Sequence, residues 1–192
     1  MNSVTAGYFD ELYRGDPDPW AFRRSWYERR KRGLLLASLP RERFRSAYEP
    51  ACANGETSAE LAGRSDTLLC SDFSAEALAL ARQRLAGLDN VRLDRHDLPA
   101  DWPAGGFDLI VLGELGYYLA PGDWLHTCQR AAASLAPDGV LVACHWRHPI
   151  EGCALAGDAV HGLLQRAMAA PPAVSHVERD FRLELWFDQE AR

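Results

Sequence analysis

Short apolar runs alternate along this chain with segments of helical spacing, and the alternation predicts an α/β fold. The runs at 47–50, 68–71, 91–95, 107–112 and 140–145 read as strands. The fourth is apolar throughout apart from Asp108, as expected of a strand covered on both faces. Residues 58–62, 75–86 and 123–135 have helix-forming character, with Ser74 as N-cap of the second and Gly87 as its stop. Residues 136–139, Ala-Pro-Asp-Gly, read as a turn into the fifth strand. Beyond it, 157–170 is expected to be a helix halted by Pro171 and Pro172. Residues 177–188 alternate as an antiparallel strand at the sheet edge, leaving the C-terminal end of the sheet shortened. At the other end, 1–19 are polar with Gly15, Pro17 and Pro19, and read as an extension that packs over the domain or remains mobile. Residues 20–39 place Trp20, Trp26 or Tyr27, Leu34 and Leu35 at helical spacing, and Pro40 ends that helix. The expected division is an N-terminal extension and lid helix over 1–40 and one α/β domain over 41–192.

Candidate chemistry gathers at one edge of the expected sheet. Residues 51–55, Ala-Cys-Ala-Asn-Gly, form a small-residue turn between the first strand and the helix after it, and small residues let backbone approach a ligand closely. About twenty residues later the second strand ends in Asp72, where a carboxylate can accept both hydroxyls of a ribose. The third strand ends in His96-Asp97 and the fourth in Glu114. Acids thus recur at the carboxyl ends of successive strands, the edge at which open α/β sheets bind ligands. A nucleotide-type cofactor is expected there.

The series Glu49, Gly55, Asp72, Asp97 and the Phe-Asp-Leu-Ile-Val run at 107–111 resembles the motif series of class I S-adenosylmethionine-dependent methyltransferases, over most of the chain. Four further blocks resemble the nodulation protein S-like branch of that family, whose nodulation members N-methylate deacetylated chitooligosaccharides. They are Asp18-Pro19-Trp20, residues 26–32 (Trp-Tyr-Glu-Arg-Arg-Lys-Arg), residues 114–119 (Glu-Leu-Gly-Tyr-Tyr-Leu) and Cys144-His145-Trp146. The resemblance implies a Rossmann-like fold with a mostly parallel sheet flanked by helices and a helical lid. It also implies S-adenosyl-L-methionine as cofactor and methyl transfer to nitrogen or oxygen of a small acceptor such as an amino sugar or oligosaccharide. The cofactor-binding residues it implies are Trp20, Tyr27, Lys31, Glu49, Ala51, Gly55, Asp72, Phe73, Asp97 and Leu98. One position departs from the pattern: the family's turn has glycine where this chain has Ala51, and alanine fits if its φ stays negative.

Composition narrows the alternatives. At 192 residues the chain suits one α/β domain with a short extension. A formal net charge of −6 argues against nucleic acid as the main partner, leaving a small-molecule acceptor and a monomer or homodimer. No run approaches the roughly eighteen apolar residues of a membrane span. Asp10 and Glu11 interrupt the N-terminus where a signal peptide would be apolar, so a cytoplasmic protein is expected. Five cysteines without a Cys-x-x-Cys pair suggest neither a disulfide framework nor a metal site. An NAD(P) oxidoreductase of the same fold class would need spaced glycines to admit a pyrophosphate, and 51–55 lacks them. A non-catalytic cofactor-binding or scaffolding protein is the other alternative, kept open by Ala51.

Each candidate side chain carries two readings. Glu114 is a catalytic acid that attracts and helps deprotonate an amine, or a loop acid in solvent. His145 is a base, or a hydrogen-bonded structural histidine. Tyr117 and Tyr118 stack on an acceptor, or sit in the core. Trp20, Trp26 and Tyr27 with Arg30 and Lys31 form a lid whose aromatic faces attract a sulfonium and whose cations pair with the cofactor carboxylate, or they are an amphipathic helix with a solvated basic face.

Overall fold

The structure, a computed structural model, describes residues 3–188. Two helices, α1 (Ala6–Gly15) and α2 (Trp26–Ser38), precede the first strand. Then come β1 (Phe44–Pro50), α3 (Glu56–Ala62), β2 (Ser65–Asp72), α4 (Ala75–Arg84), β3 (Val91–Arg95) and β4 (Phe107–Gly113). A 3-10 turn over Gly116–Tyr118 leads to α5 (Pro121–Ser134) and β5 (Leu135–Trp146), and α6 (Gly157–Met168), β6 (Val174–Val177) and β7 (Phe181–Trp186) complete the chain.

The seven strands lie in the order β3-β2-β1-β4-β5-β7-β6. The first five are parallel and β7 is antiparallel to both of its neighbours. Successive residues of β4 show why the sheet is covered twice. Leu109 and Val111 pack with Leu35, Leu61 and Leu78 of α2, α3 and α4, while Ile110 and Leu112 pack with Trp124 of α5 and Val160 and Leu164 of α6. Strand side chains alternate between faces, so an unbroken apolar run feeds both layers. Each such large side chain, fully buried, contributes about 1.5–3 kcal/mol. The one acid in that run, Asp108, accepts the β1 amides of Arg45 (2.9 Å) and Ser46 (2.8 Å). It does so where β1 and β4 pair only through Ala47 and Tyr48, so its role is to extend that pairing.

Two expectations change, and one pair of alternatives is decided. The N-terminal segment packs over the domain, the first of its two readings: α1 buries Phe9 and Tyr13, and its Asp10 accepts hydrogen bonds from Ser74 Oγ (2.6 Å) and Glu76 N (3.3 Å) at the start of α4. Its spacing of Phe9 and Tyr13 is the i, i+4 pair of a one-faced helix, obscured by the polar residues around it. Residues 136–139 belong to β5, as a bulge between the pairs Phe107↔Leu135 and Leu109↔Val140. The C-terminal edge is not shortened to one strand. The polar triplet Glu178-Arg179-Asp180 breaks the apolar alternation, Glu178 N bonds to Phe181 O (2.9 Å), and a complete hairpin results. Its second strand is inserted beside β5 because Phe181, Leu183, Leu185 and Trp186 are all buried and need cover on both faces.

Candidate active site

β1 is flanked by β2 on one side and β4 on the other, so the chain reverses its direction of travel across the sheet there. Over the carboxyl ends of these strands lies a cavity of about 570 Å³, within the size range of small-molecule sites. It brings together Trp20, Tyr27, Lys31, Glu49, Ala51, Asp72, Phe73, Asp97, Leu98, Glu114, Tyr117 and Tyr118. Gly55 and His145 are not in its wall.

The turn after β1 is shaped by two left-handed alanines and a glycine: Ala51 has φ 54°, Ala53 φ 55° and Gly55 φ 80°. The expected negative φ at Ala51 is therefore not adopted. The left-handed form is imposed from outside the turn, through Cys52 N bonding to Ser71 O (2.9 Å) and Ala53 N to Asp72 Oδ2 (3.0 Å), while Gly55 N bonding to Cys52 O (3.0 Å) closes the turn from within. The turn thus keeps the form that glycine would allow, at a cost of about 1–2 kcal/mol for an alanine in that region. Gly55 serves packing instead of ligand contact: a Cβ there would lie 3.3 Å from Ala81 Cα on α4.

Asp72 ends β2 and holds two elements together. Its Oδ1 accepts from Ser74 N (2.9 Å) at the start of α4, and its Oδ2 from Ala53 N (3.0 Å) in the turn. A carboxylate has about four lone-pair sites, so acceptor capacity remains for ligand hydroxyls. Burial pushes its pKa up to about 6, against the pull of the Ser74, Ala53 and Phe73 amides. Glu49, at the end of β1, accepts from Ser58 Oγ of α3, and burial pushes its pKa up to about 7. Two buried acids held at raised pKa, with acceptor capacity left, suit a ligand that brings hydroxyls and a positive charge.

The opposite wall carries a second charge cluster. Glu114 follows β4 with φ 53°. Its Oε1 pairs with Lys31 Nζ, and its Oε2 accepts from Trp146 N (2.9 Å) and from the Tyr117 hydroxyl. Lys31 is 7% exposed and also pairs with Glu28 at 2.9 Å. Burial opposes its charge, but Glu114 and Glu28 more than offset this and raise its pKa. Burial also raises the pKa of Glu28, with Lys31 acting in the opposite direction. With both carboxyls ionised, Glu28, Lys31 and Glu114 together carry a formal charge of −1. Sequence reasoning missed Glu28, although it lies one turn before Lys31 on the same helix face.

Aromatic rings close the space between the two clusters. Phe9 packs on Trp20, Phe73 and Tyr118, and Tyr27 meets Trp146 and Phe181 edge-on. Trp26 is outside this wall: it is 68% exposed, with Arg30 over its ring. Arg30 itself is engaged bidentately by Glu178 (2.6 and 2.9 Å), so it is not available to a cofactor carboxylate. His145 is fully buried behind the wall, accepts from Gly116 N (3.2 Å), and is pushed well below the ordinary histidine pKa, first by burial and then by His161. His145 lies outside the cavity wall and its lowered pKa makes it a weak proton acceptor, so neither its position nor its basicity favours the role of base. Of the four buried side-chain polar atoms without a hydrogen-bond partner among the described residues, Tyr27 Oη, Asn54 Oδ1 and His96 Nδ1 belong to residues of the cavity wall. These atoms leave hydrogen-bonding capacity beside the cavity for water or a polar ligand. Asn54, also missed from sequence, ties the turn to the N-terminal segment by donating to Asp18 Oδ1 (3.2 Å).

Residues 47–139 match the methyltransferase domain family. The chain is 51% identical to a Pseudomonas syringae protein described as a methyltransferase, with a TM-score of 0.76 and coverage of 85% of this chain and 100% of that one. The chain belongs to the class I S-adenosylmethionine-dependent methyltransferases. Within that family, nodulation protein S of Bradyrhizobium diazoefficiens is 30% identical over 127 residues, 65% of this methyltransferase. The match spans 61% of that relative's length and 59% of the Sinorhizobium fredii counterpart's. The N-methyltransferase NodS of Bradyrhizobium japonicum, solved with S-adenosyl-L-homocysteine, shares the fold at a TM-score of 0.83 and 24% identity, covering 96% of this chain and 99% of that one. No described helix of this methyltransferase is long and apolar enough to cross a membrane.

Proposed function

We propose that the protein transfers the methyl group of S-adenosylmethionine to an amine nitrogen of a small acceptor, with amino sugars as the first class to test. The observation that carries this reading is the net negative Glu28-Lys31-Glu114 cluster facing the same cavity as Asp72 and Glu49. Asp72 would take the ribose hydroxyls, Asp97 and Leu98 the adenine, and Glu49 the ammonium of the cofactor. When bound, the cofactor supplies an electrophilic methyl on a sulfonium. The chain's own residues must then present a nitrogen lone pair in line with that methyl and dispose of one proton.

Glu114 already accepts from Lys31, Trp146 N and Tyr117, so it acts as a fixed charge that draws in an ammonium and orients it. Among the described residues Glu28 has only Lys31 Nζ as a hydrogen-bond donor on its side chain, and with its raised pKa it is suited to accept a proton. Tyr117, Tyr118 and Trp146 provide faces against which a sugar ring can rest, while Trp20, Phe9 and Tyr27 keep water from the sulfonium.

Methyl transfer from labelled cofactor into parallel panels of amines and alcohols tests the reading. Label in amino sugars or other primary amines supports it. Label confined to alcohols overturns the nitrogen assignment. No transfer into any acceptor, alongside tight binding of S-adenosylhomocysteine, favours the non-catalytic alternative.

A further inference from the structure

A buried chain of three titratable side chains runs behind the cavity wall and belongs to none of the roles above. His145 on β5, His161 on α6 and Glu184 on β7 are 0%, 0% and 1% exposed. Gly116 N–H points at His145 Nε2 (3.2 Å), His145 Nδ1 lies 3.2 Å from His161 Nε2, and His161 Nδ1 lies 2.7 Å from Glu184 Oε2. The far oxygen of Glu184 accepts from Ser175 Oγ (3.0 Å) and Arg182 (2.6 Å).

Only one arrangement of hydrogens satisfies this chain. Gly116 can only donate, so His145 Nε2 must be bare. A neutral ring then carries its hydrogen on Nδ1 and donates to His161 Nε2. That nitrogen is bare in turn, so His161 carries its hydrogen on Nδ1 and donates to Glu184. Both rings are therefore neutral, in the less common Nδ1–H form, and the order is dictated from both ends by a backbone amide and a carboxylate. Protonating His145 would set two N–H groups against each other at Gly116.

What the chain holds is the loop that carries the acceptor cluster. Gly116 begins the 3-10 turn that places Tyr117 on Glu114 and Tyr118 in the cavity. It is held from the other side as well, since a Cβ there would overlap Val160 and Trp124. Glu114, two residues earlier, sits in the left-handed region, where an acidic residue stays only when its surroundings hold it. We propose that His145, His161 and Glu184 are positioning residues: through Gly116 they hold the Glu114–Tyr118 segment, and with it the carboxylate and phenol at the acceptor end of the cavity. This rests on the reading of Glu114 as an acceptor-binding group.

Two measurements, one on the wild-type protein and one comparing it with a variant, are independent of any acceptor. Long-range ¹⁵N NMR of the imidazoles should show Nδ1 protonated and Nε2 bare on both His145 and His161. Amide exchange at Gly116 should rise about tenfold or more in His145→Leu, which leaves that N–H without its partner. A protonated Nε2 on His145, or unchanged Gly116 exchange in the variant, overturns the proposal.

With deacetylated chitobiose as acceptor, His145→Leu should lower kcat by up to about 10²-fold through misplacement of the reacting groups, leaving the KM for S-adenosylmethionine unchanged. His145→Gln, which offers an oxygen to Gly116 and an amide to His161, should recover most of that loss. A fall in cofactor affinity matching the fall in turnover, or no rescue by glutamine, means general destabilisation and sinks the positioning role. If His145→Leu does not fold, the wild-type tautomers and His145→Gln decide. If the wild type does not methylate deacetylated chitobiose, the acceptor reading fails alone, and the tautomers and Gly116 exchange decide the proposal.

Discussion

Replacing Glu49 by glutamine should stabilise the protein at neutral and alkaline pH while weakening its hold on the cofactor. Glu49 is buried at the end of β1, and burial is the main reason its pKa lies at about 7 instead of the ordinary 4.5. Its bonds to Ser58 and Cys70 and the nearby Arg32 charge pull the other way, and Asp72 adds to the rise. In the unfolded chain the same group ionises near its ordinary value. Between the two values the folded state holds more protons than the unfolded one, so stability falls as pH rises through that window. Below it both states are neutral and nothing is lost; above about 7 the loss is complete, about 3 kcal/mol at 1.36 kcal/mol per decade. Glutamine has nearly the same shape, can still accept from Ser58 through its amide oxygen, and has no proton to lose. The variant's advantage should therefore be small at about pH 5 and reach ~2–3 kcal/mol at about pH 8. Urea unfolding under reducing conditions at both pH values measures it. An advantage that does not change with pH, or a less stable variant at the higher pH, would refute the account of Glu49 as a buried acid ionised against its environment.

Other substitutions probe the same architecture. Asp72→Ala removes charge-assisted bonds to the ribose and should weaken S-adenosylhomocysteine binding by about 2–3 kcal/mol in calorimetry; unchanged affinity would unseat the ribose assignment. Ala51→Gly relieves a left-handed alanine and should stabilise the free protein by about 0.5–1 kcal/mol net of glycine's entropy, with cofactor binding as tight or tighter; a clear loss of affinity would count against it. Gly55→Ala combines a φ of 80° with a 3.3 Å approach to the Ala81 backbone, and should cost about 1–2 kcal/mol or more in urea unfolding. On adding cofactor, hydrogen exchange over residues 8–31 should slow as Trp20 and Tyr27 close on it; protection that rises only over 49–55 would make those aromatics static wall.

The sequence by itself determined the layers and the ligand edge. A continuous apolar run such as β4 can be satisfied only by cover on two faces, and a small-residue turn followed by an acid about twenty residues on has few other uses in an α/β chain. The positions of Glu49, Asp72 and Asp97 were legible for that reason: each lies at or just past the carboxyl end of a strand, and all three reach the cavity wall. What sequence could not convey is which neighbours each side chain meets. The same pattern that marked His145 at a strand end could not say whether it faced the cavity or the far side of the sheet; β5 turns it toward His161 and Glu184, brought near by α6 and β7 from distant parts of the chain. Lys31 read as a lid cation until the fold set it between Glu28 and Glu114. The left-handed form of Ala51 came from bonds made by Ser71 and Asp72, against the residue's own preference. Local propensity and periodicity act over a few residues and survive in the sequence. Ion pairing, tautomer choice and imposed backbone conformation depend on groups far apart along the chain, and are settled only when tertiary packing brings those groups within bonding distance.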